Sequence, residues 1–192
     1  MAEQGVETGA FGGWLTEYLQ SSPEHRDYTL YFDHGDKLKY ANVLATKAFC
    51  GDAVSNSNRL ADVDVVVVRS DGVADLIIEI EERPCSPKKI LGDVLALMLC
   101  NHLAARIGGR QTYFEFSNKT TFIVAGIQPG KGQRLTKIKT IIEPRLHGIA
   151  APADSIDPAN IQLIFAEQIY DVLAQLREIV VERFPKAKGD MS

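Results

Sequence analysis

Ala61-Asp62-Val63-Asp64-Val65-Val66-Val67-Val68, then Arg69-Ser70-Asp71-Gly72, then Leu76-Ile77-Ile78-Glu79-Ile80-Glu81-Glu82 is the stretch that decides the fold. Two β-branched runs joined by a connection containing Asp-Gly predict an antiparallel hairpin. Side chains two apart in a strand share a face. Asp62 and Asp64 are therefore expected on one face of the first strand, and Glu79 and Glu81 on one face of the second. Strands this apolar are normally buried on both sides, where a carboxylate is costly and several together cost more unless a cation neutralises them. Hard divalent ions take oxygen ligands of this kind. The hairpin is therefore read as a Mg²⁺ or Mn²⁺ site with Asp64, Glu79 and Asp62 as ligands. The competing reading leaves the acids at strand ends, in solvent or paired with Arg or Lys.

Outward from the hairpin, the expected order is helix, hairpin, helix, strands, helix, strand, helix. Trp14–Leu19 reads as a short amphipathic helix and Tyr28–Phe32 as a strand. Asp36 is expected to cap a helix over Lys37–Phe49, followed by a Ser- and Asn-rich loop over 52–58. Beyond the hairpin, Ser86-Pro87 is a good helix start. The apolar run from Lys88 to Ala105 predicts one long helix buried on most faces, with Gly92 allowing close approach to a sheet and Gly108-Gly109 ending it. Thr112–Phe116 and Thr121–Ile127 read as strands, and Gln133–Ile142 as a helix stopped by Pro144. A strand at Ile161–Phe165 and an amphipathic helix over Ala166–Phe184 complete the pattern. The fold class expected is α/β, a single central mixed β-sheet flanked by helices. One domain is expected over 14–185, between a loose glycine-rich N-terminus (1–13) and a charged tail (186–192).

The 192-residue length suits one domain. Apolar content of 45% and charged content of 24% are ordinary for a globular protein. No apolar run is long enough to cross a bilayer, and the first residues lack the basic-then-apolar pattern of a secretory signal. The three cysteines, Cys50, Cys85 and Cys100, have no Cys-x-x-Cys spacing, which argues against zinc and for a reducing cytoplasm. A net charge of −4 gives no global attraction to nucleic acid, so such a partner needs a local basic patch. Lys131 and Arg134, with Lys137, Lys139 and Arg145 nearby, are the candidates; the plainer reading is the solvated face of a helix. Gly126–Gly132 lacks the spacing and the Ser or Thr of a phosphate loop. The four histidines show no metal-ligand spacing.

Over about residues 36–127, a helix, a hairpin carrying Asp then Glu-x-Glu, and a long helix resemble the PD-(D/E)XK (restriction-endonuclease-like) nuclease superfamily. The first motif acid falls on Asp64, with Asp62 as the alternative, and the second on Glu79. Glu81 stands where the superfamily has its lysine, and that is a departure. The resemblance implies a restriction-endonuclease-like core and a metal-dependent phosphodiester hydrolase acting on nucleic acid, chiefly DNA. In this reading Asp64 and Glu79 hold Mg²⁺ or Mn²⁺, and Glu81 serves as third ligand or base. Lys88 or Lys89 reaches back from the next helix to supply the missing positive charge. A homodimer is a further expectation. The alternative is a catalytically inactive member of the same fold that binds nucleic acid or protein, which the missing lysine and the acidic net charge favour.

Overall fold

The computed structural model describes residues 5–51, 54–128, 134–149 and 156–186. Its central feature is a five-stranded mixed sheet of β1 (Tyr28–Phe32), β4 (Val65–Arg69), β5 (Ala74–Pro84), β8 (Thr121–Ile127) and β9 (Ile161–Ala166), in that spatial order. β1, β4 and β5 pair antiparallel with one another, whereas β5–β8 and β8–β9 pair in parallel. The predicted hairpin is β4–β5, with Val65 opposite Ile78 and Val67 opposite Leu76. The α/β class with a mixed sheet flanked by helices is therefore observed.

A second, antiparallel sheet joins it, made of β3 (Arg59–Val63), β2 (Thr46–Phe49), β6 (His102–Ile107) and β7 (Arg110–Phe114). The valine-rich run thus supplies two strands. Arg59–Val63 belongs to the second sheet and Val65–Arg69 to the first. The chain changes sheets at Asp64.

Both faces of the five-stranded sheet are covered. Val65, Val67, Leu76, Ile78 and Ile80 face one core with α1 (Val6–Gln20) and α4 (Ile169–Arg183). Val66, Val68, Ile77, Phe122 and Val124 face the other core. There they meet α2 (Pro87–Met98), α3 (Arg134–Leu146) and inward residues of the second sheet such as Val63 and Leu103. Double coverage explains why these strands read as near-continuous apolar runs. Arg183 of α4 clamps its helix to β5, its Nε donating to Asp75 Oδ2 at 2.8 Å.

Several expectations need correction. The stretch 37–49 is not a helix. Asp36 Oδ1 accepts from Leu38 N–H at 2.8 Å, forming a local turn, and Thr46–Phe49 pairs as a strand between β3 and β6. Tertiary ladder bonds there outweigh a modest helical pattern. The helix starting at Pro87 is capped as expected, Ser86 Oγ accepting from Lys89 N–H at 3.3 Å, but it ends at Met98. His102–Ala105 lies in β6, and Gly108 and Gly109, both at positive φ, make the β6–β7 hairpin turn. Pro144 lies inside the last turn of α3 rather than ending it.

The glycine-rich start is helical from Val6, not loose. Gly5, Gly9 and Gly12 recur at helical spacing and let α1 lie directly on the end of β1. A Cβ at Gly9 would collide with the backbone carbonyl of His34, and one at Gly12 with the Phe32 ring. Gly92 of α2 is the opposite case, exposed, with nothing within 4 Å of the place a Cβ would take. Gly9→Ala should therefore destabilise the chain by roughly 2–3 kcal/mol through overpacking. Gly92→Ala should instead stabilise it by up to about 1 kcal/mol through helix propensity. Urea denaturation of the two variants checks the contrast; equal effects would contradict it.

Candidate functional site

Asp64 is placed by the sheet change. Its carbonyl accepts from Asp33 N–H at 2.9 Å, tying the corner to the end of β1. Its side chain turns along β5, Oδ2 accepting from Ile80 N–H at 2.7 Å, so a carboxylate substitutes for a ladder carbonyl. The register Val65–Ile78 puts Asp64 opposite Glu79. Alternation puts Glu79 and Glu81 on the α2 side of the sheet, the side of Ile77. Asp93 of α2 approaches from that side, its charge acting on Glu79.

The electrostatics follow from burial. Desolvation, outweighing the bond from Ile80 and the attraction of His34, lifts Asp64 to about 6. Glu79 is raised well above the usual carboxylate range by burial first, then by the charges of Asp64 and Asp93. Facing each other across the two strands, the two carboxyls oppose each other's ionisation, and Glu79 feels this most. Asp93 also rises to about 6, through burial and then the charge of Glu81. Among the described residues, Asp93 Oδ2 is buried without a hydrogen-bond partner.

Among the described residues, Lys89 answers this group directly. The Lys89 ammonium pairs with Glu81 Oε2. Burial works to lower the lysine, but the Glu81 contact prevails and its pKa is raised. Lys89 lies in the first turn of α2, one turn before Asp93 on the same flank. Gly126 makes room for this side of the site: a Cβ there would lie 2.9 Å from Cys85 Sγ and 3.0 Å from Glu81 Cβ.

These residues border a pocket of about 300 Å³ lined by Asp64, Glu79, Glu81, Lys89 and, on the far wall, His34 and Thr8. Glu82 closes its α1 end, accepting from Gly5 N–H at 2.8 Å and Thr8 N–H at 2.6 Å. That carboxylate satisfies the open N-terminus of α1. His34 holds φ at 60°, a rare conformation for a non-glycine residue.

Of the residues proposed from sequence, Asp64, Glu79, Glu81 and Lys89 come together. Asp62 does not join them. It lies on β3, opposite Lys47 and exposed, in an ion pair with Arg59. Lys88 is exposed and does not line the pocket. Lys131 lies outside the described residues, as does the side chain of Arg134, the first residue of α3. The strand that leads toward them ends beside the site, because Gly126 of β8 pairs with Glu81. Sequence reading missed Asp93, whose signal was a lone acid in an apolar helix, and His34, for which no motif existed.

Carboxylate oxygens are the donors that hard divalent ions take, and one of them, Asp93 Oδ2, is without a partner among the described residues. The arrangement is less complete. Among the described residues no group of three or more His, Cys, Asp or Glu side chains is gathered closely enough to hold a metal. No protein-family model matches the chain, and neither a curated protein nor a solved structure matches it.

The raised carboxyls have a thermodynamic consequence. Asp64 in the folded chain takes up its proton near pH 6, against about 3.8 when unfolded. Between those values the native state binds more protons, so stability rises as pH falls from 6 toward 4. The cost of the charged form is fully present above pH 6 and amounts to at most about 3 kcal/mol for this group. Asp64→Asn should flatten the stability–pH profile over pH 4–6 in EDTA, and adding Asp93→Asn should flatten it further. An unchanged slope would contradict the assignment.

Proposed function

We propose that this chain is a metal-dependent, nuclease-like protein of the PD-(D/E)XK type that hydrolyses phosphodiester bonds in nucleic acid, with DNA as the leading substrate. One observation carries the reading: Asp64 and Glu79, opposite each other on adjacent strands of a buried sheet, line one pocket with Glu81 and its ion-pair partner Lys89. Asp64 and Glu79 would hold Mg²⁺ or Mn²⁺, and Asp93 Oδ2 offers a further oxygen. A divalent ion there would supply charge neutralisation at the phosphate and acidify bound water. Glu81 fixes Lys89, so the positive charge that the superfamily places on the strand comes here from the first turn of α2. In that position Lys89 binds a phosphate oxygen or orients the attacking water.

A second reading keeps the scaffold and drops the chemistry: an inactive module that binds nucleic acid or protein. It is favoured by the absence, among the described residues, of a gathered three-donor group. A cytoplasmic location is proposed on the three free thiols. Among the described residues no helix is long and apolar enough to cross a membrane. A second copy of the chain is the other partner we propose.

The test is cleavage of linear, nicked and branched DNA with Mg²⁺ or Mn²⁺. Glu79→Ala should abolish activity, a loss of about 10³-fold or more. Lys89→Ala should lose on the order of 10²-fold, and Lys88→Ala little. Affinity measured in Ca²⁺ should fall steeply with salt. Neutralising Lys131 and Arg134 should shallow that slope by about one unit for each phosphate they no longer neutralise. Salt-dependent binding without cleavage selects the inactive module. No binding at low salt removes nucleic acid as the partner.

A further inference from the structure

We infer that the outer face of α2 is a two-fold interface between two copies of this chain. The inner flank of the helix faces the core through Ile90, Val94 and Leu97, all almost completely buried. The outer face is also apolar, which a solvent-facing helix surface normally is not. Leu91, Leu95 and Leu99 are 39%, 54% and 51% exposed. At the α-helical repeat they fall with Lys88 and Gly92 inside one arc of roughly 100°.

Two further features of this face have no use within one chain. Gly92 weakens the helix, yet nothing approaches the space its side chain would fill. Lys88 puts a positive charge at the helix N-terminus, against the macrodipole. Both gain a use when a second α2 packs antiparallel across a two-fold axis. An isologous contact requires that residue i meet j while j meets i. With the axis between Asp93 and Val94, Leu95 of each copy meets Gly92 of the other. Lys88 then meets Leu99 at the C-cap. Leu95 of each copy thus fills the open space over the partner's Gly92, the complementarity that ridges packed into grooves need. Each Lys88 lies over Leu99 with its ammonium at the partner helix's C-terminal carbonyls, where a cation is stabilising.

Within the given sequence, none of the remaining segments supplies an apolar occupant. The segments outside the described residues, 1–4, 52–53, 129–133, 150–155 and 187–192, contain no Leu, Ile, Val or aromatic residue.

The experiment is light scattering coupled to size-exclusion chromatography, with sedimentation equilibrium, on the full chain and two variants. Leu95→Glu places a charge in the contact. Gly92→Leu fills the hole from a Cβ position that has nothing of its own chain within 4 Å, so circular dichroism and melting should show both variants folded. The wild type is expected at twice the chain mass, and each variant should weaken dimerisation by about 100-fold or more. A wild type that remains monomeric over the accessible concentration range would overturn the inference. So would a dimer whose dissociation neither variant alters.

Discussion

Asp64 gives its carboxylate to the Ile80 N–H at the corner where the chain passes directly from β3 to β4, and the arrangement of the site follows from that bond. A strand leaving one ladder for another strands its neighbour's donors, and a buried donor without an acceptor costs about as much as a lost hydrogen bond. A carboxylate at the corner meets that need at 2.7 Å. The same geometry sets it opposite Glu79 in an apolar sheet covered on both faces. Stability of the corner and charge stress in the pocket therefore come from one residue.

The remaining site residues are positioned by elements that the sheet itself orders. Parallel pairing of β5 with β8 requires a crossover, and α2 within it carries Lys89 and Asp93 to the acid-bearing face. α1 lies on the opposite face, brought close by glycine and anchored through Glu82, the next residue along β5 after Glu81. Alternation thus gives the acids different roles, since Glu79 and Glu81 face the α2 side while Glu82 caps α1. Burial then raises Asp64, Glu79 and Asp93, because a carboxyl removed from water is less costly neutral than charged.

The parts legible in the sequence were those where local pattern and tertiary need agree. The β4–β5 hairpin, the Ser86-Pro87 helix start, β8, β9 and α4 have periodicity or capping chemistry that only one structure satisfies. The misread parts are those where they conflict. His102–Ala105 continues an apolar run that suits a helix as well as a strand, and only pairing with β2 and β7 settles it. Residues 46–49 have a helical pattern but lie between two strands. The glycines of α1 have poor helix propensity, and their close approach to Phe32 and His34 is invisible from spacing alone. At the site, Glu79, Glu81 and Asp64 were legible because acids are out of place in valine-rich strands. Asp93 and His34 were not, since each matters only through folding onto a residue far away in sequence.

The most direct measurement is isothermal titration calorimetry of Mn²⁺ into the chain near pH 7, in buffers of different ionisation enthalpy. An ion that takes Asp64 and Glu79 as ligands binds them deprotonated and so competes with the proton that burial favours on Glu79. The expected result is saturable binding whose heat varies with the buffer, reporting proton release, and loss of both the binding and the buffer dependence in Glu79→Gln. Binding with no proton release, or binding that Glu79→Gln leaves intact, would contradict it.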